Sequence, residues 1–161
     1  MSLRLALLAF LAALAACSPM AADAGERQAS TSPARHPVSG LEVIPLGVTH
    51  AGKRHEFRVE VARTPAEQAK GLMFRTAMEP DEGMLFPRNP PDVPSFWMRN
   101  TVIPLDIIYV GPDRRILNIV ANAVPYDETA LRARGLSIGV LELNGGRAAK
   151  IGLAPGDRVD W

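Results

Sequence analysis

The chain has 161 residues, with 18 Lys and Arg against 17 Asp and Glu, and therefore a formal net charge of +1. This near-neutral charge, with no basic stripe and no acidic tail, argues against a nucleic acid as partner. The one cysteine, Cys17, excludes an internal disulfide, so the folded part must be stabilised by its hydrophobic core. No residue pattern requires a cofactor, and none is predicted.

The N-terminus predicts export. One positive charge, Arg4, precedes an unbroken apolar run over residues 5–16. A helix of that length would span only about 18 Å, which is too short for a bilayer but suits the apolar region of a signal peptide. We therefore expect residues 1–16 to be a signal peptide.

The end of this run predicts a lipid anchor. Residues 14–17 (Leu-Ala-Ala-Cys) resemble the lipobox of bacterial lipoproteins, which implies a diacylglyceryl group on Cys17 and membrane attachment through it. Residues 22–24 (Ala-Asp-Ala) offer the alternative of ordinary cleavage and a soluble product. We favour lipidation, because the lipobox is complete and adjoins the apolar run. Ser18 at the next position favours, by comparison with lipoprotein sorting, the periplasmic face of the outer membrane.

The remaining chain divides into a tether and a domain. Residues 17–40 are rich in Ala, Ser, Pro and Gly and lack an apolar period, so they are predicted to form a flexible tether. Residues 41–161 are long enough to bury one real core and are predicted to form a single domain.

The domain is predicted to begin with two strands and a short helix. Residues 41–48 have strand character, and residues 57–62 alternate between apolar and polar side chains. Thr64 and Glu67 form a capping box, which predicts a helix that ends at Lys70.

Short strands and turns are predicted for the rest of the domain. A short strand over residues 84–86 precedes residues 87–94, whose four prolines predict a loop. Further strands are predicted at residues 96–98, 105–110, 116–121, 137–143 and 158–161, with a short helix at residues 147–151. These elements predict a mainly β domain of the α+β class, arranged as an antiparallel sandwich or barrel with two or three short helices.

Three dense motifs lie in the middle of the domain, at residues 71–75 (GLMFR), 83–86 (GMLF) and 96–106 (FWMRNTVIPLD). Together with residues 140–143 and 156–159, they resemble the domain of unknown function family 192 (DUF192) over about residues 41–161. Arg99 stands where this family usually has Lys, which keeps the charge but changes the hydrogen-bond geometry. The resemblance implies a small, mainly β domain with jelly-roll-like packing, and it implies no activity.

The charged residues within these motifs suggest a binding site. Arg75 or Arg99 could hold an anionic ligand against Trp97. Alternatively, one of these arginines could form an internal ion pair with Asp106, beside a turn held by Asn100, Thr101 and Pro104. The residues proposed to bind a ligand are Arg75, Trp97, Met98, Arg99, Asn100, Thr101, Asp106 and Glu142. The predicted function is non-enzymatic binding of a small ligand or of another envelope protein through this patch.

An enzymatic alternative uses Asp106 and Glu142 as a carboxylate pair with Arg99, acting on a glycan or a phosphorylated substrate. It requires both carboxylates in one cleft. Strand alternation instead favours a Glu142 that points outward. No catalytic signature is present in the sequence, so binding is preferred and no catalytic residue is assigned.

Metal binding is a weaker alternative. Met73, Met84 and Met98 could together bind Cu(I) as soft ligands, but their spacing lacks the clustering of copper-binding segments. Methionine more often fills irregular gaps in a core beside aromatic rings. The three histidines lack the spacing of a metal centre, so no metal site is predicted.

Overall fold

The structure is a computed structural model, and it describes residues 34–161. The predicted signal peptide, Cys17 and most of the predicted tether lie outside the described residues. Nine strands and two short helices follow in chain order: β1 (Val43–His50), β2 (Lys53–Val61), α1 (Pro65–Lys70), β3 (Glu82–Asp92), β4 (Ser95–Phe96), β5 (Leu105–Val110), β6 (Ile116–Ala123), β7 (Leu131–Arg132), β8 (Ser137–Asn144), α2 (Arg147–Ile151) and β9 (Arg158–Asp160).

Seven strands form one sheet in the order β6-β5-β8-β3-β2-β1-β9, and β4 pairs with β7 in a second, small sheet. Within the large sheet β2 and β3 are parallel, and the other neighbours are antiparallel. Its outer strands approach each other, since Val159 N donates to Arg114 O (2.8 Å) and Ile116 N donates to Asp157 O (2.9 Å). The predicted mainly β class is therefore confirmed, and the curled sheet is barrel-like.

The large sheet is buried on one face over all seven strands and on the other face mainly over β3, β5 and β8. One core receives side chains from all seven strands, among them Leu46, Phe57 and Leu141, so it lies inside the curve of the sheet. The second core contains Met84, Phe86, Met98, Leu105 and Tyr109, together with Leu72 from the segment after α1. Apolar runs without alternation, such as β5, are explained by this burial on both sides.

The predicted loop over residues 87–94 is wrong, because β3 extends to Asp92. Its pairing with β2 ends where Val61 lies beside Leu85. Beyond that point the β2 side of β3 is unpaired, so a proline there removes no hydrogen bond of the ladder. The register with β8 also shifts between Pro87 and Asp92.

The predicted helix α1 is confirmed, with its capping box. Glu67 N donates to Thr64 Oγ1 (3.2 Å), and Thr64 N donates to Glu67 Oε2 (2.8 Å). This local sequence fixes the start of a helix that lines the site described below. Among residues 34–161, no helix has both the length and the apolar character needed to cross a bilayer.

Residues 34–40, which the tether prediction includes, are held against the domain. Val43 N donates to Ala34 O (2.7 Å), His36 N donates to Leu41 O (2.9 Å), and Arg35 forms an isolated bridge with Glu42. The ordered contacts of the domain thus begin several residues before the predicted boundary.

Candidate functional site

A cavity of about 330 Å³ opens between α1, the start of β4 and the segment that follows β4. Small-molecule sites occupy about 300–1,000 Å³, so this volume suits a small organic ligand. We call it the Glu142 cavity. It is lined by Gln68, Ala69, Lys70, Gly71, Leu72, Met73, Phe86, Arg88, Ser95, Phe96, Trp97, Arg99, Thr101 and Glu142.

Glu142 is the one acidic residue among those that line this cavity in the described chain. Its side chain is only 4% exposed, which overturns the expectation that it points outward. It lies beside Met84 of β3 and Ile107 of β5 on the same face of the sheet. These neighbours are apolar, so they offer the carboxyl no hydrogen bond.

Burial changes the protonation of this group. Desolvation alone raises the pKa of Glu142 to about 8, with no hydrogen bond from residues 34–161 to oppose it. At neutral pH the group is therefore mainly a neutral carboxylic acid, which can donate a hydrogen bond as well as accept one. The nearby Tyr109 hydroxyl is occupied, because it donates to Leu131 O (2.8 Å).

Trp97 and Arg99 stand at the outer side of the cavity. The Trp97 side chain is 48% exposed, and the Arg99 guanidinium carbon lies 5.5 Å from the centre of its ring. Arg99 also approaches Glu128, with its Nε 3.8 Å from Oε1. Both project from a turn in which Thr101 N donates to Met98 O (3.0 Å). The turn thus buries Met98 and directs its neighbours outward.

The backbone around this turn is strained. Phe74, Asn100 and Tyr126 have φ values of 64°, 53° and 62°, in the left-handed region that non-glycine residues rarely adopt. Phe74 N donates to Asn100 O (2.8 Å), and Tyr126 N lies 3.1 Å from Met98 O, so the three meet at one junction. Such strain clusters at functional sites, where the surrounding structure must maintain it.

A hydrogen-bonded network supports the α1 side of the cavity. Arg88 donates to both carboxylate oxygens of Asp92 (2.9 and 2.6 Å) and to Gln68 Oε1 (2.9 Å). This bidentate contact lowers the pKa of Asp92 and raises that of Arg88. Gln68 in turn donates to Pro87 O (3.1 Å), so it connects α1 to β3. Arg88 is therefore already neutralised by a partner.

Comparison with known proteins now defines the family. The family DUF192, described as an uncharacterised ACR, matches residues 47–161. The chain belongs to the DUF192 family. No curated protein matches it. A crystal structure of a protein of unknown function from Novosphingobium aromaticivorans DSM 12444 is 64% identical, covers 82% of this chain and 94% of its own, and has a TM-score of 0.79.

A second similar structure comes from Sinorhizobium meliloti 1021, where the protein is described as a candidate transcription regulator. It is 37% identical, covers 74% of this chain and 94% of its own, and has a TM-score of 0.73. The predicted membership of the DUF192 family is therefore confirmed, and solved relatives share the fold of the domain.

The DUF192 motifs divide between the Glu142 cavity and other places. Trp97, Arg99, Thr101 and Glu142 line the cavity together. Asn100 lies behind it, with its Nδ2 3.8 Å from the Met73 sulfur. Met98 is fully buried in the core.

Arg75 has a different partner from the one predicted. Its guanidinium donates to both carboxylate oxygens of Glu60, at 2.8 and 3.0 Å, and both residues are nearly buried. Ser39 also donates to Glu60. The predicted internal pair of an arginine with Asp106 is therefore wrong, because Arg75 is paired with Glu60 and Arg99 lies near Glu128. Arg75 instead lines a second cavity of about 530 Å³ on the other side of residues 71–75, where its charge is already compensated.

Asp106 supports the fold of the DUF192 domain. It is 0% exposed and accepts hydrogen bonds from the backbone N–H groups of Asn122 (2.9 Å), Gly146 (3.0 Å) and Ala148 (2.7 Å). Two of these donors lie at the start of α2, which has no side-chain cap of its own. Asp106 therefore caps α2 from a neighbouring strand.

The carboxylate pair of the enzymatic alternative does not form. Asp106 is paired with Leu143, and Ile107 is paired with Glu142. Directly paired residues share a face of the sheet, and successive residues alternate, so Asp106 and Glu142 lie on opposite faces. The two carboxyls cannot act in one cleft.

The methionines of the copper alternative are used in packing. Met84 and Met98 are fully buried in the second core, while Met73 lines the cavity. Within residues 34–161, no group of three or more His, Cys, Asp and Glu side chains could hold a metal ion.

Four residues of this region were missed or misplaced in the sequence analysis. Glu60 gives no local signal, since it occupies a polar position in an alternating strand. Glu142 does give one, because residues 140, 141 and 143 are all apolar, and a strand apolar on both faces is covered on both faces. Lys70 and Arg88 also line the cavity, and only the packing of α1 against β3 brings them there.

Proposed function

We propose that this protein is an exported, lipid-anchored envelope protein that binds a small ligand in the Glu142 cavity, and that it acts as a binding protein rather than an enzyme. The observation that carries the proposal is the Glu142 carboxyl, which is nearly buried, lines the cavity and forms no hydrogen bond within residues 34–161. A ligand in the cavity can supply the hydrogen bond that the protein does not provide to this carboxyl.

The walls of the cavity support the same proposal. Trp97 offers a half-exposed aromatic surface, and Phe86, Phe96 and Met73 add apolar area. A concave apolar site with a few polar groups that fix orientation is typical of small-molecule binding. The patch predicted from the sequence contributes Trp97, Arg99 and Thr101 to this site, while Arg75 and Asp106 lie elsewhere.

The test is a screen of a fragment mixture that contains small organic acids, amines and neutral aromatics. Binding is followed by the NMR signal of the Trp97 indole N–H, with that of Trp161 as internal reference. We expect a subset of fragments to shift the Trp97 signal, and Trp97→Ala to abolish their binding while the fold is retained.

Leu136→Ala is the matched control, because Leu136 is an exposed apolar residue outside the lining of this cavity. It should leave fragment binding unchanged. A protein that binds none of the fragments, or that binds them equally well after Trp97→Ala, would contradict the proposal.

The anchor has a separate test. The complete lipobox at residues 14–17 supports acylation of Cys17. We expect labelled palmitate to be incorporated into the wild type and not into Cys17→Ser, and the wild type to fractionate with the outer membrane. A mature N-terminus at Gly25, found by mass spectrometry, would instead favour cleavage after residues 22–24 and a soluble protein.

A further inference from the structure

We propose that the ligand of the Glu142 cavity is a small organic anion, whose acidic oxygen accepts a hydrogen bond from the Glu142 carboxyl group while its apolar part packs against Trp97. This inference rests on the proposed binding function and adds the chemical class of the ligand. It follows from the charges around the cavity, the state of Glu142 and the character of the walls.

The charges around the cavity favour an anion. Lys70 at the end of α1 is an exposed cation without an ion pair in the described chain, and the exposed Arg99 beside Trp97 lies 3.8 Å from Glu128, which is outside the lining. Glu142 is the one acid among the lining residues of the described chain. Arg88 is already bound by Asp92 and contributes little net charge. An anionic oxygen inside the cavity therefore meets a positive surrounding.

Glu142 can serve as a donor to such an oxygen. Its pKa of about 8, caused by desolvation, keeps the proton on the carboxyl at neutral pH. Tyr109 of β5 is the titratable group that interacts with Glu142, and the cations Lys70 from α1, Arg88 from β3 and Arg99 from the segment after β4 line the same cavity without changing the pKa of Glu142. Burial also raises the pKa of Tyr109, so this hydroxyl stays neutral over the same range.

A cationic amine is the alternative class of ligand, and the same groups disfavour its binding. An ammonium would need an ionised Glu142, which burial disfavours, and it would be repelled by Lys70 and Arg99. A neutral carboxyl that hydrogen-bonds to an anion is the lower-energy arrangement. Phe86, Phe96 and Trp97 then enclose an aromatic or aliphatic body.

Three probes of similar size and different charge test the class of the ligand: benzoate, benzamide and benzylamine. Calorimetric titration at pH 6.5 is expected to give the tightest binding for benzoate, at least tenfold tighter than for benzylamine. Benzamide should fall between them. The indole N–H signal of Trp97, and not that of Trp161, should shift in each complex.

The pH dependence tests the role of Glu142. Above a pKa of about 8 the wild type must take up a proton to bind benzoate, so its affinity should fall at least tenfold between pH 6.5 and pH 9.5. Titrations in two buffers of different ionisation enthalpy should show close to one proton taken up at pH 9.5 and almost none at pH 6.5.

Glu142→Gln keeps the size and an N–H donor, so it should bind benzoate with the same affinity at both pH values. Glu56→Gln is the matched control, because Glu56 is exposed beside Arg54. It should behave like the wild type. The proton-uptake measurement on the wild type alone decides the question if Glu142→Gln fails to fold.

The outcomes separate the two proposals. Two results overturn the anion inference and leave the binding function intact. The first is binding of benzamide or benzylamine at Trp97 without binding of benzoate. The second is a benzoate affinity that does not change with pH, with no proton taken up or released on binding. Absence of binding by all three probes and by the whole fragment mixture overturns both.

Discussion

Asp106 and Glu142 are both buried carboxyl residues, and they lie on adjacent strands of the same sheet. Asp106 faces the inner core, where three backbone N–H groups donate to it. Glu142 faces the second core, where Met84 and Ile107 flank it and no group in residues 34–161 compensates it. Burial alone therefore does not determine the role of a carboxyl, because its hydrogen-bond partners differ between the two sites.

The difference has an energetic meaning. Satisfied hydrogen bonds to a charged group contribute to the folded state, so Asp106 stabilises the start of α2 and its contact with β5. An uncompensated buried acid does the opposite, and it persists where function requires it. Mutation of the two residues should consequently change stability in opposite directions.

The largest effect is expected for Asp106→Asn. The substitution removes the charge and places an amide NH₂ group among N–H donors, so we expect the free energy of unfolding to fall by about 3–5 kcal/mol. Urea denaturation measures this change. Asp113→Asn is the control, because Asp113 is exposed and accepts one hydrogen bond from Arg115 N (3.1 Å). A loss of unfolding free energy below about 1 kcal/mol for Asp106→Asn would contradict the stabilising role assigned to Asp106.

Glu142→Gln should change the free energy of unfolding in the opposite direction from Asp106→Asn. The pKa of Glu142 is raised to about 8 in the folded state, so between its ordinary value and pH 8 the folded protein holds a proton that the unfolded chain has lost. The contribution of this group to stability is therefore present at low pH and is lost as pH rises, at up to about 1.4 kcal/mol per unit.

The Glu142→Gln variant lacks this pH dependence of stability. Relative to Glu142→Gln, the wild type should lose about 2 kcal/mol of unfolding free energy between pH 5.5 and pH 7.0. Denaturation of both proteins at several pH values gives the difference directly, and Glu56→Gln should follow the wild type. Parallel stability curves would show that Glu142 finds compensation in solution.

The smallest effect on stability is expected for Trp97→Ala. About half of this side chain is exposed, so its removal should lower the free energy of unfolding by less than about 1 kcal/mol. Trp161→Ala should cost more, because Trp161 packs against the inner core and beside Arg114. Equal losses in thermal unfolding would place Trp97 among the structural residues and weaken the assignment of the cavity wall.

Local sequence signals predicted the elements that depend on few neighbours. The capping box gave α1, the period-two pattern and the turn at residues 111–114 gave the hairpin of β5 and β6, and two glycines marked the limits of α2. Each of these is decided by residues close together in the chain.

The features that were missed depend on contacts between distant segments. The parallel pairing of β2 with β3 leaves one side of β3 unpaired, and only this makes its prolines acceptable. The Arg75–Glu60 pair and the opposite faces of Asp106 and Glu142 depend on strand order and register, which single-strand patterns do not contain.

The approach of β9 to β6 has a consequence for the behaviour of the domain towards other copies of itself. Exposed edges of long strands are templates on which further chains can add, and many β proteins protect them with charges or bulges. Here the hydrogen bonds between residues 114–116 and 156–159 join β9 to the first residue of β6, and residues 117–123 take no part in them. The backbone of β9 is therefore occupied on both sides, by β1 and by residues 114–116, and the outer edge left for a strand of another copy is β6 beyond Ile116.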